Sequence, residues 1–157
     1  MRRIGAGGWW KTLDEKKDSS VIKQKTSLSC VAAVGEMLLQ TRGIKMTQAE
    51  IIDIIGEPST LENLADLLNK TDKPIDNEKW HGVIIPVRHL EKIIQKSSFG
   101  AVLREGSPLG HIVLVLGLEN DLLRIKDSWD ATTYQMTVDE FLSFWNGEII
   151  FKWNLSK

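Results

Sequence analysis

Apolar positions recur at helical spacing through the first two-thirds of the chain, and the period shortens towards that of strands in the last third. Val31, Ala32, Ala33, Val34, Gly35, Met37, Leu38 and Leu39 predict a central helix over about 30–41, apolar on most faces. Ser29 is placed to cap its start and Gly43 its end. Thr47 and Glu50 form a capping-box pattern ahead of Ile51, Ile52, Ile54 and Ile55, and Gly56 with Pro58 stops that helix. A third helix, capped by Ser59 or Thr60, carries Leu61, Leu64, Leu67 and Leu68, and a fourth over about 88–96 carries Leu90, Ile93 and Ile94. The polar stretch 69–82 reads as a loop, and 83–86 as a short extended piece.

From residue 101 onward the pattern is that of strands. Residues 101–104 form one, followed by the turn Glu-Gly-Ser-Pro at 105–108. The run 111–118, HIVLVLGL, is a buried central strand, and 122–129 returns from a turn at 119–121. A short helix starts at Thr137 or Asp139, Asn146-Gly147 breaks it, and 149–153 is a final strand. A helical half followed by an antiparallel half is an α+β architecture.

Bulk composition narrows the class. A chain of 157 residues reads as a single domain. We place it at 21–157, behind a loose arm over 1–20 whose glycines 5, 7 and 8 suit a joint and whose Trp9 and Trp10 dock on the surface. That start suits a domain excised from a larger protein. With a net charge of -1 and no long charged block, nothing points to a nucleic-acid partner. No apolar stretch is long enough to span a membrane, and MRRIGAGGWW lacks the apolar segment of a signal peptide. A single cysteine excludes an intramolecular disulfide and thiolate zinc frameworks, and suits a reducing compartment. Neither a metal nor a cofactor is expected.

That cysteine changes the picture. Cys30 opens the central helix, where unpaired N–H groups and the helix field favour thiolate over thiol. His111 opens the apolar strand. With a three-residue turn at 119–121, position 113 faces 127 and 111 faces 129, so His111 and Asp127 are diagonal neighbours on one face. Asp127 shares its alternation phase with Leu123 and Ile125, so it points to the core and requires a partner there. A thiol, an imidazole and an orienting carboxylate are what thiol catalysis requires. Gln24, six residues before Cys30, can donate its side-chain amide towards an oxyanion. His81 and His89 read as a loop and a helix residue outside this set.

The segments QKTSLSCVAA at 24–33, GHIVLVLG at 110–117 and KDSW at 126–129, with YQMTVDEFLSFWNG behind them, resemble the papain-like cysteine peptidases. They are most similar to the compact bacterial branch that cleaves double-glycine leader peptides, and to papain-fold bacterial toxin domains. The resemblance covers roughly 20–153; the Asp-Pro usual in that branch is here Asp127-Ser128. It implies a papain-like fold with Cys30 as nucleophile, His111 as general base and acid, Asp127 as its orienter and Gln24 in the oxyanion hole. The substrate would be a peptide or carboxamide. Amine in place of water as acceptor would make the site a transglutaminase, and a glutamine side chain as substrate would make it a deamidase. A non-catalytic peptide-binding module on the same fold is a further alternative. The toxin likeness implies delivery from a secreted parent into a reducing compartment, and a cognate immunity protein as partner.

Overall fold

A computed structural model describes residues 8–105 and 110–154. Within them the chain forms an antiparallel sheet of seven strands, with helices on both faces. In chain order the elements are β1 Leu13–Lys17, α1 Cys30–Thr41, α2 Gln48–Ile55, α3 Leu61–Thr71, β2 Lys79–Ile84, α4 Leu90–Ile94, β3 Phe99–Leu103, β4 His111–Glu119, β5 Leu122–Asp127, β6 Thr132–Thr137, α5 Val138–Phe144 and β7 Trp145–Trp153. The spatial order is β1-β6-β5-β4-β3-β7-β2, so the apolar β4 lies at the centre. Glycines 5 and 7, and the turn expected at 105–108 apart from Glu105, lie outside the described residues.

Alternation along the strands divides the interior into two cores. Val102, Ile112, Leu114 and Ile150 face α1, α2 and α3 and pack on Val34, Leu38, Ile51 and Leu64. Ala101, Leu103, Val113, Val115, Leu123, Ile125 and Tyr134 face the other way, against Leu90, Ile93, Phe141, Trp145 and Trp10. Close approach of α1 depends on residues without side chains. A Cβ at Gly35 would stand 2.7 Å from Leu64 Cδ1, and one at Gly100 would stand 2.7 Å from Ile150 Cγ2 and 3.2 Å from Val34 Cγ1. This packing fixes the position of the helix start, and therefore of Cys30, against β4.

Local signals match the helices. Thr47 accepts from the Glu50 N–H and the Glu50 carboxylate accepts from the Thr47 N–H, closing the capping box. Thr60 caps α3 and Thr137 caps α5 through their side chains. Gly43, with φ of 73°, lets the chain leave α1 just beyond its C-cap residue Arg42. The fourth helix is shorter than expected, a 3-10 turn at Val87–His89 leading into α4.

Four expectations need correction. Ser29 makes no side-chain cap, because its hydroxyl bonds to Thr26 instead. The loop expected through residue 82 gives way to β2 from Lys79, paired with β7. Between β5 and the last helix, where no element is expected, the alternation Thr132, Tyr134, Met136 forms β6 with those three side chains buried. Finally, the part of residues 1–20 that is described is not loose. Leu13–Lys17 pairs with β6 as the sheet's edge, and Trp10 is buried in the core, while Trp9 remains on the surface.

Candidate active site

Cys30 occupies the first residue of α1, half-buried, where the helix axis meets the end of β4. Because the Ser29 hydroxyl is turned to Thr26, no side chain caps the first turn of α1. The backbone N–H groups of Val31 and Ile112 act on the Cys30 sulfur and favour its thiolate. Burial alone would raise the thiol pKa, but the His111 hydrogen bond and charge, with those two N–H groups, outweigh it and hold the thiol below its ordinary value.

His111 is the first residue of β4, next to Ile112, which packs against α1. Its Nε2 lies 2.6 Å from Asp127 Oδ1. An ionised carboxylate only accepts, so Nε2 is the donor, and Nδ1 is the nitrogen left for the sulfur. Burial works against a charged imidazole; the Asp127 charge and hydrogen bond, with Cys30 on the other side, raise the His111 pKa to about 10. Asp127 is fully buried and would be pushed up by burial, but the His111 charge, the Tyr134 hydroxyl at 2.7 Å and the Trp129 N–H at 2.9 Å hold it below the usual carboxylate range. Three charge-bearing groups therefore follow one another inwards: the half-buried sulfur, then the buried imidazole and carboxylate.

The pairing that brings them together has an unforeseen cause. The turn after β4 is two residues, Asn120-Asp121, both with positive φ, and sets Glu119 against Leu122 and Leu118 against Leu123. Carried along the strands, that phase would miss the expected one by a residue. A bulge between Val115 and Gly117 restores it, so that Leu114 pairs with Lys126. His111 and Asp127 thus meet on one face as expected, through a shorter turn compensated by a bulge.

Gln24 is also buried, anchored to Ser128, the residue that follows Asp127. Its backbone N–H donates to the Ser128 carbonyl at 2.8 Å, and its Oε1 accepts from the Ser128 hydroxyl at 2.9 Å. Its Nε2 donates to the Thr26 carbonyl at 2.8 Å, which uses one of the two amide hydrogens. Ser128 was singled out only as a departure from a proline, yet it links the acid's strand to the glutamine. Trp10, expected on the surface, and Tyr134, which the sequence gives no role, also belong to the site. Trp10 stacks on His111, and Trp129 meets the same ring edge-on. The buried alternation of β6 was the signal for Tyr134; no local signal marks Trp10.

A groove of about 590 Å³ opens at Cys30. Leu28, Val31, Leu61, Val83, Ile84 and Ile112 give it apolar walls, with Glu62 and the Arg104–Glu148 ion pair at its polar side. His81 bonds to the Trp153 carbonyl and His89 sits at the α4 start, both away from the groove's lining. Among the described residues no group of three or more His, Cys, Asp or Glu side chains is placed to hold a metal ion. No described helix is long and apolar enough to cross a membrane.

Comparison with known proteins places the fold. The peptidase domain of Streptococcus ComA, a bi-functional ABC transporter involved in quorum sensing, superposes with a TM-score of 0.70 at 18% identity, over 83% of this chain and 95% of that one. A double glycine motif protease from an AMS/PCAT transporter, solved with its leader peptide, superposes with a TM-score of 0.65 at 17% identity, over 96% and 95%. The chain has the papain-like cysteine peptidase fold. A curated relative, Cysteine protease effector 1 of Escherichia coli O1:K1:H7, is 40% identical over 151 residues. The match takes in 94% of this chain but spans only 30% of that relative's length. No family model matches.

Proposed function

We propose that the chain is a papain-like cysteine hydrolase that cleaves a peptide or carboxamide bond through an acyl-enzyme at Cys30. The observation that carries this reading is the series Cys30, His111 and Asp127, in which the cysteine lines the groove and the buried His111–Asp127 pair stands behind it. The Cys30 thiolate attacks the carbonyl carbon and forms the C–S bond. The Cys30 N–H and the second amide hydrogen of Gln24 are suited to receive the developing oxyanion. His111 gives its Nδ1 proton to the leaving amine as the C–N bond breaks, leaving a thioester. His111 then takes a proton from water, whose oxygen attacks the thioester; the C–S bond breaks, the carboxylic acid departs, and the Cys30 thiolate and His111 imidazolium are restored. Asp127 keeps Nε2 protonated and the ring in plane throughout.

The relative's name, an effector of which this match is less than a third, supports the reading of the chain as the effector domain of a larger delivered protein. A thiolate nucleophile would work in a reducing compartment. A cognate immunity protein would be its partner, by resemblance to toxin domains.

The test is mass spectrometry of a cell-derived peptide and protein mixture incubated with wild type or Cys30→Ala. Wild-type-dependent new chain termini are expected. Glutamine-to-glutamate conversion would make the protein a deamidase, and amine-linked glutamine a transglutaminase. Identical spectra for wild type and Cys30→Ala would overturn the catalytic reading in favour of a peptide-binding module.

A further inference from the structure

Trp10 lies ahead of β1, far in sequence from Cys30, His111 and Asp127, yet it is one of the most buried side chains, at 1% exposure. Its indole is nearly parallel to the His111 ring, with centroids 6.1 Å apart and planes at 14°. Phe144 meets the indole edge-on at 5.8 Å. The indole N–H donates to the Tyr134 hydroxyl at 2.9 Å, and that hydroxyl donates to Asp127 Oδ2 at 2.7 Å. The direction is fixed by chemistry: an indole N–H can only donate and an ionised carboxylate can only accept. The single hydroxyl proton of Tyr134 is therefore committed to Asp127.

The segment carrying Trp10 is pinned at several points. The Trp9 N–H bonds to Glu105, the Lys11 N–H donates to Glu140 Oε2 at 2.6 Å, and β1 pairs with β6, the strand that carries Tyr134. On its other edge β6 pairs with β5, where Thr132 faces Asp127. One N-terminal segment thus both covers the imidazole and braces the strand behind the carboxylate.

We propose that Trp10 is a positioning residue for the His111–Asp127 pair, covering the imidazole with its indole face and holding the Tyr134 hydroxyl as a donor to Asp127. This rests on the reading of Cys30 as nucleophile and His111 as its partner. An aromatic face favours a cation above it, and exclusion of water strengthens the attraction between imidazolium and carboxylate. Both effects favour the thiolate–imidazolium form. The titratable groups acting on this cluster are Cys30, Asp127, Tyr134 and, through Tyr134, Glu15 of β1.

The test uses the full chain as wild type, Trp10→Phe, Trp10→Ala and Tyr134→Phe. It reads the rate of Cys30 alkylation by iodoacetamide across pH, together with the melting temperature. In Trp10→Ala the rate near pH 6 is expected to fall roughly tenfold, while the rate near pH 10 stays at the wild-type value because the thiol is ionised there in any case. Trp10→Phe keeps a ring over His111 but loses the donor, and Tyr134→Phe loses the hydroxyl; each is expected to fall about threefold near pH 6. Should Trp10→Ala fail to fold, the two phenylalanine variants decide. Wild-type pH profiles in both, whatever their melting temperatures, would make Trp10 a packing residue and overturn the proposal. A wild type that itself lacks low-pH reactivity would instead remove the nucleophile reading on which the proposal stands.

Discussion

Replacing Asp127 by asparagine removes one charge at nearly constant volume and exposes how the site is held. The carboxylate accepts from His111 Nε2 at 2.6 Å, from the Trp129 N–H at 2.9 Å and from the Tyr134 hydroxyl at 2.7 Å. With its oxygen towards His111 and Trp129, the new carboxamide would turn its nitrogen, a donor, towards a hydroxyl that already accepts from Trp10. The Tyr134 proton then has lost its acceptor. Charges roughly 4 Å apart attract by about 4 kcal/mol at an effective dielectric of about 20. A neutral acceptor retains part of the hydrogen bond, so about 2–3 kcal/mol of support for the imidazolium is lost. That corresponds to a fall of roughly 30- to 150-fold in the thiolate–imidazolium population. The assay is iodoacetamide alkylation of Cys30 across pH, followed by intact mass. Asp127→Asn should be slower than wild type by about that factor near pH 6 and equal to it near pH 10. Its melting temperature should fall by several degrees, since an unsatisfied buried polar group costs about 1–3 kcal/mol. A variant that melts and reacts like wild type at every pH would refute the reasoning, because Asp127 would then carry no charge that His111 feels.

Three further outcomes follow from the same geometry. Ser128→Ala removes the donor to Gln24 Oε1 in a buried setting and should cost about 1–3 kcal/mol in chemical denaturation, with kcat/KM falling once a substrate is known; unchanged values would show that the backbone bond alone holds Gln24. The His111 pKa, ordinarily 6.5, is raised to about 10, so its stabilising contribution is full below 6.5 and drains away as pH rises through about 10. Urea melts should show this alkaline decline in wild type and a flatter profile in His111→Gln. Gly100→Ala places a Cβ 2.7 Å from Ile150 Cγ2 and 3.0 Å from Ile112 Cδ1, and should destabilise by about 1–3 kcal/mol in thermal melts by pushing α1 from the sheet.

What the sequence made legible was local or periodic. The span of α1, the Thr47 box and the apolar β4 rest on spacing within a dozen residues, and the structure has them at those positions. The phase of Asp127 with Leu123 and Ile125 was readable because alternation survives any choice of turn. The register was reached by compensation: a turn shorter by one residue and a bulge at Val115–Gly117, neither of which period-2 reasoning distinguishes. Elements stabilised mainly by distant partners were not legible. Leu13–Lys17, LDEKK, has no strand preference of its own and is a strand because β6 offers an open edge. Trp10 reads as part of a polar, glycine-rich start, and only its contacts with His111, Tyr134 and Phe144 explain its burial. Ser29 has the residue type and position of a cap, but the turn at Thr26 competes for its hydroxyl.

The most direct test of Cys30 and His111 acting as one unit is the pH profile of Cys30 alkylation in wild type against His111→Ala. Wild type should react well below the ordinary thiol pKa of about 8.5, and His111→Ala should lose that low-pH limb while reacting normally at high pH. Two proteins with the same ordinary thiol profile would contradict the account and leave Cys30 as a packing residue of α1.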